Sequence, residues 1–178
     1  MSSVVISGDT SGAITLSAPA VAGTNTITLP ASTGTVLTTG SPQSGGVIQV
    51  VSTSSTTTTS TSSTSFVTAS ISASITPKFS TSKILITVAG GGMDTWQSSN
   101  NRMGLTVYRN NATQLGGFTD SFNYQSRTIV PASYQYLDSP ATTSSTTYTI
   151  YIKSFGAYDI YLNSQSETIT ITVMEIAV

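Results

Sequence analysis

The side chains best equipped for recognition chemistry gather in two stretches of the sequence. Residues 93–102 hold the only tryptophan, Trp96, together with Asn100, Asn101 and Arg102. Residues 116–127 interleave Phe118, Phe122 and Tyr124 with Asp120, Asn123 and Arg127. A flat ring covers the apolar C–H face of a pyranose, and planar amide or guanidinium groups match pairs of sugar hydroxyls. Both stretches carry those parts. The candidate ligand-binding residues are therefore Trp96, Asn100, Asn101, Arg102, Phe122, Asn123 and Tyr124. A structural reading competes with this one, in which Trp96 and Phe122 plug the ends of a sandwich and the amides cap turns.

Acid–base and metal chemistry has little to work with. The 178 residues include seven carboxylates, six Lys or Arg, no His and no Cys, for a net charge of -1. Without His there is no imidazole base near neutral pH and no Ser-His-Asp triad. Without Cys there is no disulfide framework, zinc-thiolate site or thiol nucleophile. Glycoside cleavage needs two carboxyl groups roughly 5 to 9.5 Å apart. Asp94, Asp120 and Asp138 fall in or beside predicted loops, and the expectation is that they form turns, solvate loops or pair with Arg102, Arg109 and Arg127. No Asp-x-Asp-x-Asp-Gly spacing marks a calcium loop. The expected protein is non-enzymatic, with no cofactor and no metal. Six basic residues make no phosphate-neutralising stripe, so nucleic acid is not an expected partner. The apolar runs are too short to insert in a membrane, and no basic region precedes Val4, Val5 and Ile6 as a secretory signal would require.

The elements that must position these residues follow from composition and periodicity. Charged residues make up 7% of the chain, against roughly 25% in an average soluble domain. Only Asp9 precedes Lys78, and residues 52–65 are an unbroken run of Ser and Thr. These shifts divide the chain into an N-terminal arm (1–51), an extended Ser/Thr-rich connector (52–65) and a C-terminal body (66–178). The connector reads as extended rather than as a flexible linker, because Thr favours strands and the run contains neither Gly nor Pro.

In the arm, Val4 and Ile6, Ile14 and Leu16, and Ile27 and Leu29 are i, i+2 apolar pairs separated by Gly-, Asp- and Pro-containing turn pieces, with Val36 following. Two apolar side chains per strand cannot offset an ordering cost of roughly 1 to 2 kcal/mol per residue. Nearly chargeless strands also lack the usual protection of their edges. Other copies of the chain are the economical cover, so Val4, Ile6, Ile14, Leu16, Ile27, Leu29 and Val36 are expected to intertwine in a homo-oligomer. In the body, Ile84, Ile86 and Val88, then Tyr148, Ile150 and Ile152, then Ile169, Ile171 and Val173 alternate with mostly polar residues, the period of half-buried strands. Further strands are predicted near 66–75, 103–109, 129–137 and 158–162. The fold class is all-β, with an antiparallel sandwich or jelly roll after the arm. Tyr148, Tyr151, Tyr158 and Tyr161, on strand spacing, are assigned to the core or to a subunit interface.

Two sets of residues carry a family resemblance. The stretch from Ser7-Gly8-Asp9-Thr10-Ser11-Gly12 through Leu29-Pro30-Ala31-Ser32-Thr33-Gly34-Thr35-Val36-Leu37 resembles the N-terminal segments of bacteriophage tail-fibre and other virion proteins, notably of cyanophages and marine phages. Ile75-Thr76-Pro77, Ser80-Thr81-Ser82-Lys83-Ile84-Leu85-Ile86, Val107-Tyr108-Arg109-Asn110, Tyr136-Leu137-Asp138-Ser139-Pro140 with Thr146-Thr147-Tyr148-Thr149, and Ile171-Thr172-Val173-Met174-Glu175-Ile176 resemble a module at the ends of such proteins. The resemblance implies a homotrimer with a tumour-necrosis-factor-like jelly-roll head, on an arm that docks to other virion proteins. It implies a virion location after synthesis in the host cytoplasm. A short fibre or spike would touch a host surface glycan. The alternative is a capsid decoration or cement protein, bound to the major capsid protein rather than to the tail or baseplate. No ligand site transfers with the resemblance.

Overall fold

Where β-branched residues alternate with Ser and Thr, one strand face buries hydrocarbon while the other stays hydrated, and this pattern sets nearly every element of the body. The computed structural model describes residues 3–21, 23–26, 31, 33–34, 38, 40, 42–96, 101–124 and 126–178. Asn100, Ile27, Leu29 and Val36 lie outside the described residues. The chain separates into two units, Met1–Val36 and Leu37–Val178. No helix occurs among the described residues, so none is long and apolar enough to cross a membrane.

The first unit contains an antiparallel hairpin of β1 (Ser3–Ser7) and β2 (Ala13–Ser17). Gly12, at φ 80°, supplies the left-handed step of its loop, closed by a 3.0 Å hydrogen bond from the Gly8 N–H to the Gly12 carbonyl. Val4 stands opposite Leu16 and Ile6 opposite Ile14, which puts four apolar side chains on one face, all more than half exposed.

The second unit is built from β3 (Val47–Ser55), β4 (Thr59–Thr61), β5 (Val67–Ile75), β6 (Lys83–Thr95), β7 (Asn101–Arg109), β8 (Thr113–Asn123), β9 (Thr128–Asp138), β10 (Thr146–Ser154), β11 (Ile160–Leu162) and β12 (Ile169–Ile176). One antiparallel sheet has the order β5-β10-β7-β8. The other runs β3-β12-β6-β11-β4, with β9 paired along the far edge of β6. The strands predicted for the body are all present. The body begins earlier than residue 66, however, because β3 pairs with β12 over its length and β4 pairs with β11. The stretch expected as the end of the arm and the connector is part of the sandwich. Its Ser and Thr residues are extended, as expected, and their hydroxyls build the turns that Gly and Pro would otherwise supply. Ser55 Oγ accepts from the Thr57 N–H, Thr61 Oγ1 from Ser63 and Ser63 Oγ from Ser65, each at 3.1 Å. Across β3 and β12 the hydroxyls of Ser52 and Thr172, and of Ser54 and Thr170, bond at 3.0 and 2.8 Å.

The core lies between the sheets. Ile84, Ile86 and Val88 of β6 and Ile169, Ile171 and Val173 of β12 join Leu105 and Val107 of β7 and Tyr148, Ile150 and Ile152 of β10 in one buried cluster. Each fully buried aliphatic side chain contributes roughly 1.5 to 3 kcal/mol. β6 serves two partners in turn, β12 up to Gly90 and β11 from Met93, and Gly90-Gly91-Gly92 makes the bend between them. Gly90 and Gly91 have φ of 81° and 65°, and a Cβ on Gly90 would stand 2.5 Å from the Thr168 carbonyl oxygen. Only glycine fits there.

Polar side chains tie the elements together where the apolar packing ends. The fully buried Glu175 accepts hydrogen bonds from Gln49 Nε2 (2.6 Å) and from the Lys78 (2.8 Å) and Phe79 (3.2 Å) N–H groups. The segment entering β6 is thereby fixed to β3 and β12. Burial pushes the Glu175 carboxyl upward, but these donors outweigh it and its pKa lies below the ordinary value. Asp138 of β9 receives both oxygens' bonds from Arg109 Nη1 at 2.9 Å and one from the Tyr148 hydroxyl at 2.9 Å, joining the two sheets. Burial, reinforced by the bond to Asp138, raises the Tyr148 pKa.

Two outcomes follow. A chain of residues 37–178 is expected to melt cooperatively, whereas one of residues 66–178 lacks β3 and β4, uncovers the edge of β12, and is expected to lose that transition or aggregate; circular dichroism melts decide. The depressed Glu175 pKa means that its contribution is complete above the unfolded-state value and fades as pH falls through the folded one. Glu175→Gln is therefore expected to cost roughly 1 to 3 kcal/mol at about pH 7. Urea titrations should find the difference shrinking once the pH falls below the ordinary glutamate value of about 4.3.

Candidate functional site

The candidate ligand residues that fall on β7 and β8 separate by strand parity. Asn101 opens β7 and Asn123 closes β8, and both side chains point inward at 1% exposure. Asn123 Oδ1 accepts the Asn101 N–H at 2.6 Å, Asn123 Nδ2 donates to the Thr95 carbonyl at 2.9 Å, and Asn101 Oδ1 accepts the Arg102 N–H at 2.8 Å. The Asn123 amide ties β7 and β8 to β6, while the Asn101 amide accepts also from Ser154 Oγ of β10 at 3.3 Å, so both lie inside the sandwich and do not face a ligand. Phe122 and Tyr124 are exposed, at 56% and 67%.

Trp96 follows β6 and is neither a core plug nor a free ring. It is 52% exposed, with the Arg127 guanidinium carbon 3.9 Å from its ring centroid and the Tyr161 ring edge-on at 6.2 Å. Arg127 in turn donates to the buried Asp94 through Nε at 3.1 Å and Nη2 at 2.6 Å, and these bonds hold its pKa above the ordinary value. Thr58, Trp96, Tyr161 and Ser164 line a hollow of about 260 Å³. Its rim is one clamped ring with hydroxyls around it.

The second arrangement escaped the sequence reading. Residues whose parity is opposite to the core residues stand on the outer face of β5-β10-β7-β8: Arg102 and Tyr108 on β7, Phe118, Asp120 and Phe122 on β8, Tyr151 and Lys153 on β10. Phe66 and Phe155 flank them in the adjoining turns. The rings of Phe66, Tyr108, Phe118, Tyr151 and Phe155 form a continuous set, with centroid separations of 4.2 Å for Tyr108–Tyr151, 5.4 Å for Phe118–Phe155, 6.1 Å for Phe66–Phe118 and 6.3 Å for Phe66–Tyr108. Lys153 Nζ lies 4.2, 4.8 and 5.4 Å from the centroids of Phe155, Phe66 and Phe118. Arg102 sits over Phe155 at 4.3 Å and is ion-paired with Asp120. Gly104, opposite Lys153 in register, makes the floor, since a Cβ there would lie 3.1 Å from Phe155 and 3.5 Å from both Lys153 and Phe118. Of the candidates, Arg102 and Phe122 face each other across β7 and β8 on this surface. Tyr151 belongs here, whereas Tyr148 alone of the four tyrosines assigned to core or interface is wholly buried. The legible signal was parity: Tyr151 and Lys153 flank the buried Ile152.

The three aspartates expected in or beside loops stand on strands, Asp94 on β6, Asp120 on β8 and Asp138 on β9, and of the alternatives given for them it is pairing that occurs, Asp94 with Arg127, Asp120 with Arg102 and Asp138 with Arg109. Among the described residues no three His, Cys, Asp or Glu side chains gather closely enough to hold a metal ion.

If the amides are structural and the outer rings are not, Asn123→Ala is expected to cost roughly 1 to 3 kcal/mol by leaving buried polar groups unpaired. Phe122→Ala should shift stability by no more than about 0.5 kcal/mol. Paired thermal melts check the contrast. No protein-family model matches the chain, and no curated protein matches it in sequence.

Proposed function

We propose that the protein is a homotrimeric bacteriophage virion protein, a short non-enzymatic fibre whose arm docks to other virion proteins and whose head contacts a host surface glycan. The observation that supports self-association is the outer face of the six-stranded sheet, and the number three comes from the sequence resemblance. Three rows cross it in register: Val50, Met174, Leu85 and Leu137; Ser52, Thr172, Thr87 and Gln135; Ser54, Thr170, Ala89 and Ser133. None of these residues is charged, and Val50 and Leu137 remain 54% and 49% exposed. Burying these three rows against another copy strands no charge, since Lys83 lies one row further on beside Ile176, and the apolar row gains by leaving water. The hairpin argues in the same direction, because a two-stranded ribbon with Val4, Ile6, Ile14 and Leu16 uncovered is marginal by itself.

The jelly-roll reading is supported by strand order. β3-β12-β6-β9 and β5-β10-β7-β8 make two four-stranded sheets from eight strands, and the chain passes repeatedly from one to the other. The virion assignment rests on the sequence resemblance of the arm and of the head motifs.

Sedimentation of the full chain is expected to give a trimer, and Val50→Lys with Leu137→Lys a smaller species whose strand content by circular dichroism is unchanged. A wild-type monomer would overturn the assembly. Imaging virions labelled at the C-terminus tests the location. A label spread over the capsid surface, with fragile capsids when the protein is deleted, replaces the fibre with the decoration reading.

A further inference from the structure

We infer that the outer face of β5-β10-β7-β8 binds an acidic saccharide, with pyranose C–H faces on Phe118, Phe155 and Phe122 and the sugar carboxylate on the Lys153 ammonium. This rests on the glycan-contacting reading and gives it a site and a ligand class. The charge inventory selects the anion. All seven carboxylates of the chain are among the described residues, and none comes within ion-pair distance of Lys153. Its neighbours are three rings, which stabilise an ammonium but do not neutralise it. Anything that covers this surface must bring its own negative charge or desolvate a bare cation, which is costly.

Another copy of the chain is poorly stocked for that. Asp94, Asp120 and Asp138 are held by arginines, Glu175 by Gln49 and two backbone N–H groups, and Glu167 by the Gln165 N–H. Only Asp9 and Asp159 are left. An extended peptide gains its affinity from main-chain bonds at a sheet edge. The interior strands β7 and β10 spend theirs on both neighbours. What the face offers is ring surface, the Lys153 ammonium and the Arg102–Asp120 pair, which suits a ligand with apolar C–H faces and a carboxylate for Lys153. Arg102, already shared between Asp120 and Phe155, supplies a second positive edge.

The probes are oligogalacturonate, oligosialic acid and the methyl ester of the oligogalacturonate, titrated into the full-length protein by calorimetry at low and high salt. Binding of at least one acidic probe is expected, weakened by salt and by about tenfold or more on esterification, the worth of one charge-assisted contact. Lys153→Gln should remove the preference for acid over ester, and Phe118→Leu, which keeps an apolar side chain without a ring, should weaken both probes. Melting temperature and sedimentation, measured alongside, should be unchanged. No binding of either acidic probe, equal affinity for acid and ester, or a change of oligomeric state in Lys153→Gln each overturns the inference. Adsorption to host cells separates it from the reading beneath. Saccharide binding without adsorption leaves the site standing and removes the host-contact function, whereas adsorption unaffected by Lys153→Gln and Phe118→Leu keeps that function and removes the site.

Discussion

Apolar packing between the two sheets, from Ile84, Ile86, Ile171 and Val173 on one side to Leu105, Val107, Ile150 and Ile152 on the other, is the contact on which every other feature depends. It fixes parity. A slip of one residue in any strand would turn its aliphatic side chains to water and bring Thr or Ser into the core. Because inward positions are so firmly taken by β-branched hydrocarbon, everything of opposite parity is released from structural duty, and the outer faces are free to differ. The bend at Gly90-Gly91-Gly92 belongs to the same constraint, since it lets β6 remain core-facing while it changes partner from β12 to β11.

Charge is spent where hydrocarbon packing stops. The buried Asp94 and Glu175, and Asp138 at 6% exposure, each receive several donors. A buried ion pair is weak evidence of stability in itself, because desolvation consumes most of the attraction. Its directional bonds specify which segments meet, though. Glu175 fixes the entry to β6, Asp138 joins β9 to Arg109 and Tyr148, and Asn123 carries β8 to the Thr95 carbonyl. With most carboxylates engaged in this way, Lys153 is left among rings alone.

The strands were legible because their period of two is written in single residues: Ile84, Ile86 and Val88 need no tertiary information to be read as one face. The extended state of the Ser/Thr run was legible too, but its membership of the sandwich was not. Ser52 and Ser54 look alike in a linker and in a strand, and their hydroxyl bonds are made to Thr172 and Thr170, about 120 residues away. Asn101 and Asn123 misled for a related reason. An amide beside an aromatic is chemically apt for a sugar, and only the inward parity of the positions, together with the approach of β6, turns it into a bridge. The scarcity of charge made arginine–aspartate pairing one readable alternative, but which partners meet depends on strand register and was not readable.

The two outer faces now stand in contrast. On the six-stranded sheet the three rows from Leu85 to Ala89 are hydroxyl, amide or apolar, and burying them costs little because Ser52–Thr172 and Ser54–Thr170 already satisfy one another. On the four-stranded sheet, rings alternate with Arg102 and Lys153 over the bare floor of Gly104. A cation held against rings keeps part of its hydration and its field reaches outward, so this face resists closure by an uncharged surface and favours an anionic one. Two sheets with a shared core thus present different outer chemistry, since the same alternation that fills the interior leaves one face uncharged except for Lys83 at the start of β6 and sets the cations of the other among rings.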